Sequence, residues 1–272
     1  MAIFTVDADK CARDGICVAE CPGGLIEMKG ELPAPVEGAE SLCINCGHCV
    51  AVCPRGALSL ATMPAEECPP VQNELLPGPD QVEHLLLSRR SIRSYKDEVV
   101  DWGTLARLVD IARHAPSGHN TQPVHWLVVE DRDEVKRLSG LVIDWMRHVQ
   151  AQNPGLARSL HLDRVVRSWE NGKDRVCRDA PHVILTHAAK SGIGPQAACT
   201  IALTYLELAA FSLGLGACWA GYLGAAAASF PPLVATLDLP EGHQVFGAML
   251  VGYPRYPYHR VPVRNKPVIT WR

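Results

Sequence analysis

LCINCGHCVAVCPRG, residues 42–56, places Cys43, Cys46, Cys49 and Cys53 at C-x2-C-x2-C-x3-C, followed by Pro54. Three thiolates spaced this way on one tight loop supply three corners of an iron–sulfur cubane, and the fourth, turned by the proline, serves a neighbouring cluster. Zinc ribbons also use Cys-x2-Cys pairs, but a zinc ion takes four ligands of its own rather than a triplet plus Cys-Pro. The upstream stretch CARDGICVAECPGG, residues 11–24, repeats the pattern with one change. Cys11, Cys17 and Cys21 with Pro22 keep their places, and Asp14 stands where the second cysteine would be. The head of the chain is therefore an internal duplication.

The two segments resemble a two-cluster bacterial ferredoxin. That resemblance implies one 4Fe-4S cluster held by Cys43, Cys46, Cys49 and Cys21, and a second held by Cys11, Cys17 and Cys53 with Asp14 beside its fourth iron. A carboxylate is a harder ligand than a thiolate, so this corner is open to aspartate ligation, an exchangeable water, or a 3Fe-4S cluster. Asp14 also reads simply as the first residue of an Asp-Gly turn. His48, between two ligands, reads as a surface or supporting residue.

Around this head the chain has an ordinary composition: 272 residues, 47% apolar and 20% charged. Residues 1–62 carry eight acidic and four basic side chains, which leaves +1 for the rest of a chain whose net charge is -3. No chain-wide basic field argues for nucleic acid. The start, MAIFTVDADK, lacks the pattern of a secretory signal, so a cytoplasmic protein is expected. Residues 208–230 run without a charge but include four glycines, which suits a buried helix and strand better than a membrane span. Seven of eleven cysteines fall in the first 53 residues, a crowding that reads as metal ligation rather than disulfides. Cys68 continues neither pattern, and Cys177, Cys199 and Cys218 sit in apolar surroundings as inert thiols.

Residues 63–80, MPAEECPPVQNELLPGPD, hold five prolines and read as a linker. The organisation is thus 1–62, linker 63–80, and a second domain over 81–272. Helical periodicity begins at Val82, and residues 102–114 bury Leu105, Leu108, Val109 and Ala112 behind a capping Asp101. Three segments then stand out. RRSIRSY, residues 89–95, sets three arginines within five positions. APSGHNTQPVHWLVVE, residues 115–130, is a turn-rich loop entering a strand. GLGACWAGYLG, residues 214–224, is glycine-rich and follows a long apolar helix.

In this order the three segments resemble the nitroreductase family over essentially residues 81–272, making the chain look like a ferredoxin–nitroreductase fusion. The resemblance implies bound FMN. Arg89, Arg90 and Arg93 with the Ser91 hydroxyl suit its phosphate, because guanidinium forks meet phosphate oxygens bidentately. Pro116, Ser117 and Gly118 resemble the loop that packs on the flavin from a partner subunit. Asn120 resembles the residue bonded to the ring edge, with Gln122 in support, while His119 reads as a surface residue. Cys218, Trp219, Ala220 and Gly221 would bring backbone N–H groups to the ring, and Arg260 or Arg264 near the C-terminus would reach the phosphate.

SGIGPQA, residues 191–197, matches G-x-G-x-x-A but lacks the acidic residue at the end of a following strand, so no dinucleotide fold is expected. The family fold implied is α+β: a small two-cluster module, then a three-layer domain with a mainly antiparallel sheet, built as a homodimer. Strands are expected at 124–130, 182–187, 246–252 and 268–271. Residues 150–178 are poorly patterned and suit a lid over the substrate.

Joining one-electron clusters to a two-electron flavin implies an FMN-dependent oxidoreductase fed through, or feeding, its own clusters. Nitroaromatics, quinones and activated alkenes are the acceptors the resemblance implies, with NAD(P)H or ferredoxin as donor and no nucleic acid or membrane partner. The alternative is an electron-transfer or redox-sensing protein acting on a protein partner. Asp14→Cys is expected to convert the first cluster to an all-cysteine cubane. An unchanged electron paramagnetic resonance spectrum and iron content would show that Asp14 is no ligand.

Overall fold

The computed structural model describes residues 3–272, which divide into two compact units, one running to Leu76 together with His119–Thr121, the other comprising Pro77–Gly118 and Gln122–Arg272. In the first unit, β1 (Phe4–Val6) is followed by α1 (Ile16–Ala19), the hairpin β2 (Ile26–Lys29) and β3 (Leu32–Pro35), α2 (Ala39–Leu42), α3 (His48–Ala51) and β4 (Leu58–Leu60). β1 pairs antiparallel with β4, so the ends of the duplication close on each other. The hairpin turns at Gly30, whose φ of 67° is the left-handed geometry that a two-residue turn requires.

The duplication is visible in the backbone. α1 and α3 each begin after a left-handed glycine, Gly15 and Gly47, two residues before Cys17 and Cys49. Each Cys-Pro cysteine accepts an N–H four residues on, Leu25 to Cys21 at 3.3 Å and Ala57 to Cys53 at 3.2 Å. Phe4, Cys17, Ile26, Cys49, Val50, Leu58 and Leu60 form the core, and Met63, Ala65 and Cys68 pack against it. The front of the proline-rich stretch is therefore part of this unit's packing.

The second unit opens with α4 (Pro79–Ser88) and α5 (Trp102–Ala112), the latter capped as expected by Asp101, whose Oδ1 accepts the Thr104 N–H at 2.9 Å. β5 (His125–Val129), α6 (Arg132–Gln152), α7 (Pro154–Ser159), α8 (Leu162–Glu170), β6 (His182–Ala189), α9 (Pro195–Ser212), β7 (Gly216–Trp219), α10 (Gly221–Ser229), α11 (Pro231–Thr236) and β8 (His243–Gly252) follow. The sheet has the order β5-β6-β8-β7 and is antiparallel throughout. Both its faces are buried. Ile184, Met249 and Val251 join Leu105, Leu108, Leu203 and Leu206 of α5 and α9 on one side. Val183, Leu185, Ala248 and Leu250 join Leu138, Val142, Met146 and Val165 of α6 and α8 on the other. The period of two along each strand thus produces the expected three layers. β6 turns through SGIGP into α9 within an antiparallel sheet, which leaves no place for a dinucleotide crossover.

Two expectations change. Residues 268–271 form no strand: Val268, Ile269 and Trp271 are exposed and pair with no strand among the described residues. Residues 150–178 are ordered rather than irregular, since α7 and α8 bury Ala157, Leu162, Val165 and Val166 against α6. The glycine-rich 214–224 segment is half strand and half helix, with β7 meeting α10 at Ala220.

The basic segment is seated on a pair of glycines. Gly216 of β7 faces Gly252 of β8 across the ladder. A Cβ on Gly216 would lie 2.4 Å from the Ile92 side chain, and one on Gly252 would lie 2.7 Å from Pro181 and 2.9 Å from Tyr95. Ile92 and Tyr95 are buried there, the Ile92 N–H donates to Ala217 at 2.9 Å, and the Tyr95 hydroxyl donates to the Ile92 carbonyl at 2.7 Å. Burying each side chain contributes roughly 1.5–3 kcal/mol. Gly252→Ala is expected to destabilise the second unit by about 1–3 kcal/mol through overpacking against the rigid proline ring, read as a lower unfolding midpoint.

Candidate functional site

The folded duplication gathers the predicted ligands into two groups. Cys21, Cys43, Cys46 and Cys49 line one small cavity, with Ile3, Phe4, Leu25, Ile26 and Leu60 as its apolar wall. Cys17, Cys11 and Cys53 form the other group, close enough for their charges to interact. Each group therefore draws its Cys-Pro cysteine from the opposite repeat. Among the described residues no three such side chains converge on a single ion position, as four zinc ligands would. Burial pushes the Cys49 thiol up to about 11 and raises that of Cys17, so a thiolate at either position needs a cation beside it to hold its charge. Asp14 is exposed, and its Oδ1 accepts the Ile16 N–H at 3.2 Å, which is the turn geometry read from the sequence and leaves Oδ2 for other use. His48 is exposed at the rim of the cavity.

In the second unit the arginines of RRSIRSY part company. Arg89 and Arg90 line a cleft of about 390 Å³ with His84, Ser88, Ile92, Glu207 and the backbone of Gly214–Ala217. Arg93 lines a second cleft of about 430 Å³ with Arg132, Arg178 and Arg255, and its guanidinium reaches towards the buried Cys218 thiol. The division falls at the buried Ile92: Arg89 and Arg90 precede it on one cleft, and Arg93, Ser94 and Tyr95 follow it on the other. Ser91, half-buried, lies at the division.

The first cleft has unmet bonding capacity. Ser88 Oγ is buried without a hydrogen-bond partner, and Arg90 makes no ion pair among the described residues. Arg89 is held by Glu207, Nη1 to Oε1 at 2.6 Å, with the carboxylate side chain only 10% exposed. Glu207 is the residue that reading the sequence missed. Its signal was available: it is the single charged side chain in α9, standing in an otherwise apolar or neutral helix.

The remaining predicted residues are distributed as follows. Cys218 and Ala220 are buried, Trp219 and Gly221 exposed, and the Ala220 N–H is spent on the Ala248 carbonyl at 2.9 Å. The N–H groups of Gly221, Tyr222 and Leu223 open α10 with no side-chain cap, which presents a ready set of donors. His119, Asn120 and Gln122 all have φ between 44° and 52°, a concentration of left-handed backbone that marks a constrained loop. Ser117 Oγ accepts the Gln122 N–H at 2.9 Å and so closes that loop. Asn120 Nδ2 donates to the Asn45 carbonyl at 2.8 Å. Pro116, Ser117, Gly118, Asn120 and Gln122 line neither cleft, and neither do Arg260 and Arg264, which lie on the exposed arm after Pro254.

An antiparallel three-layer domain preceded by a duplicated cysteine module defines a redox protein of two parts. The Nitroreductase family model matches residues 86–253, and a 4Fe-4S dicluster domain matches residues 3–55. The chain belongs to the nitroreductase family and carries a dicluster domain in front of it. It is 31% identical over 204 residues, 68% of this chain and 93% of the other, to an NADH dehydrogenase of Thermus thermophilus. A nitroreductase with bound FMN from Desulfitobacterium hafniense superposes with a TM-score of 0.56 at 25% identity, covering 70% of this chain and 96% of that one. A second, from Bacteroides fragilis and also with bound FMN, gives 0.60 at 21% identity over 71% and 99%.

Burial holds Cys177 up at about 12 and Cys199 at about 11, and raises Cys218. Thiolate is therefore scarce at all three in neutral solution. Iodoacetamide applied anaerobically at pH 8 to the cluster-loaded protein is expected to modify the half-exposed Cys68 first. Labelling of Cys177, Cys199 or Cys218 before unfolding, read by peptide mass, would contradict their burial.

Proposed function

We propose that this chain is an FMN-dependent oxidoreductase in which the dicluster module exchanges electrons with the flavin, and that it reduces a small acceptor such as a nitroaromatic, a quinone or an activated alkene. The observation that carries this reading is the cleft of Ser88, Arg89, Arg90 and Glu207, a basic recess with a buried, unpartnered hydroxyl. It suits a dianionic phosphate, which takes charge-assisted bonds from guanidinium groups and a hydroxyl alike. The family relationship and the FMN bound in the two superposed nitroreductases support it.

Bound FMN would supply the exchange between one-electron carriers and two-electron acceptors. The chain's own contribution is to bind and orient. Arg90 offers a free guanidinium, Glu207 fixes Arg89 in one geometry, and Gly216 lets Ile92 sit low enough to hold both arginines at the cleft. The uncapped N-terminus of α10 points partial positive charge outward, which favours a negatively charged partner group there. No nucleophilic side chain is required.

The two cysteine groups support a pair of clusters: Cys21, Cys43, Cys46 and Cys49 for one, Cys11, Cys17 and Cys53 with Asp14 for the other. The backbone N–H bonds to Cys21 and Cys53 would favour the reduced, more negative state of each cluster. A second copy of the chain is the proposed partner. Tyr205 and Phe211 of α9 are exposed, and so are Tyr258, Val263 and Trp271 of the arm, large apolar side chains that a second copy would cover. β5 is an open sheet edge on which an arm from another copy could pair. Cysteine-ligated clusters suit a reducing compartment such as the cytoplasm.

Anaerobic purification followed by iron, sulfide and FMN analysis tests the cofactor set, and flavin absorbance after NADH, NADPH or reduced ferredoxin identifies the donor. Arg90→Ala is expected to weaken FMN retention by roughly tenfold to a hundredfold, the worth of one charged hydrogen bond. Full flavin occupancy in both Arg89→Ala and Arg90→Ala would overturn the assignment of this cleft.

A further inference from the structure

We propose that His125, His187 and His243 form a binding site for a divalent transition-metal cation of the zinc class, separate from the cluster cysteines and from the basic clefts. The three imidazoles come from three adjacent strands at one end of the sheet. His125 of β5 lies directly across from His187 of β6, and His243 of β8 lies diagonally beside it, so the period of two puts all three on one face. The β6·β8 ladder shifts register between Thr186 and His187, an irregularity of the kind that re-aims side chains beside functional sites.

Geometry supports a shared ion. The ring centres are 5.3 Å (His125 to His187), 4.8 Å (His125 to His243) and 5.1 Å (His187 to His243) apart. Zinc–nitrogen bonds of about 2.0–2.1 Å put each ring centre ~3.2 Å from the metal, and three such rings at angles between 90° and 109° are then about 4.5–5.2 Å apart. The two closest donor atoms, Nδ1 of His187 and Nδ1 of His243, are 2.9 Å apart. That distance fits either a shared proton or two ligands of one cation. His187 is buried and His243 half-buried, so two ligands are preorganised, while His125 is exposed on the edge strand.

Among the described residues no three donor atoms already aim at one point. Closing the site therefore takes a turn of the His125 ring, the member with solvent around it. Imidazole donors select zinc, nickel or copper over magnesium or calcium, and three neutral ligands leave a coordination position for water or a small anion. No carboxylate or cysteine belongs to the set, so the site is chemically distinct from the iron-binding module.

The test is equilibrium dialysis of anaerobically purified, cluster-loaded protein against micromolar zinc, with bound metal counted by mass spectrometry and cluster absorbance followed to show that iron is not displaced. Wild-type protein is expected to hold about one zinc per chain, and His125→Ala and His243→Ala each to weaken it at least ~tenfold, the least that even partners outside a coordination sphere cost. His114→Ala, an exposed histidine elsewhere, is expected to match wild type. His125→Ala alters an exposed edge residue, so its loss of zinc is not a folding effect, and flavin and iron contents serve as the check. Absence of bound zinc in wild type at micromolar concentrations, or equal binding in both histidine variants, overturns the proposal.

Discussion

The second unit depends on one steric arrangement, the meeting of Gly216 and Gly252 across the β7·β8 ladder. Two missing side chains there make room for Ile92 and Tyr95, and everything chemically interesting about RRSIRSY follows from that seat. The segment is otherwise irregular, without a helix or a long strand to hold it. Its backbone is instead tied at Ile92 to β7, at Lys96 to Tyr253, and at Ser94 to Arg255. With the apolar residues pinned inward, the arginines are forced outward to two different recesses. The positions of these side chains are thus set by packing, and the charges ride on it.

The same logic explains Glu207. A carboxylate so little exposed on an apolar helix is costly unless paired, and Arg89 supplies the pair at 2.6 Å. Replacing one partner alone would leave the other charge stranded, a cost of about 3–5 kcal/mol for a buried pair. Arg89 is therefore as much a part of the core as of the cleft. Arg90 has no such partner among the described residues and, on the proposed reading, is left to meet a phosphate.

Much of this was legible in the sequence, and for identifiable reasons. Metal-ligand spacing is local, so the duplicated cysteine pattern could be read directly, whereas the exchange of Cys21 and Cys53 between the two groups came only with the resemblance to a two-cluster ferredoxin. Strands β5, β6 and β8 announced themselves as β-branched or apolar runs bounded by turns. Other features depend on distant neighbours and could not be read. The divergence of Arg93 from Arg89 requires knowing that Gly216 and Gly252 are opposite each other. The histidine cluster joins positions 125, 187 and 243, which only the strand order brings together. Residues 150–178 lacked an obvious pattern because they form short helices, whose few apolar positions, Ala157, Leu162, Val165 and Val166, fill a surface provided by α6.

The exchange of cysteines between repeats has a consequence for how such a module is built and lost. Cys53 stands with Cys11 and Cys17, while Cys21 stands with the triplet of the second repeat. Each half of the duplication therefore lacks a corner that only the other half can provide. A chain cut between the repeats would leave two fragments, neither holding all the members of either group. Oxidative damage at either Cys-Pro cysteine would correspondingly fall on the ligand group of the opposite repeat, so the module ages as one object rather than as two.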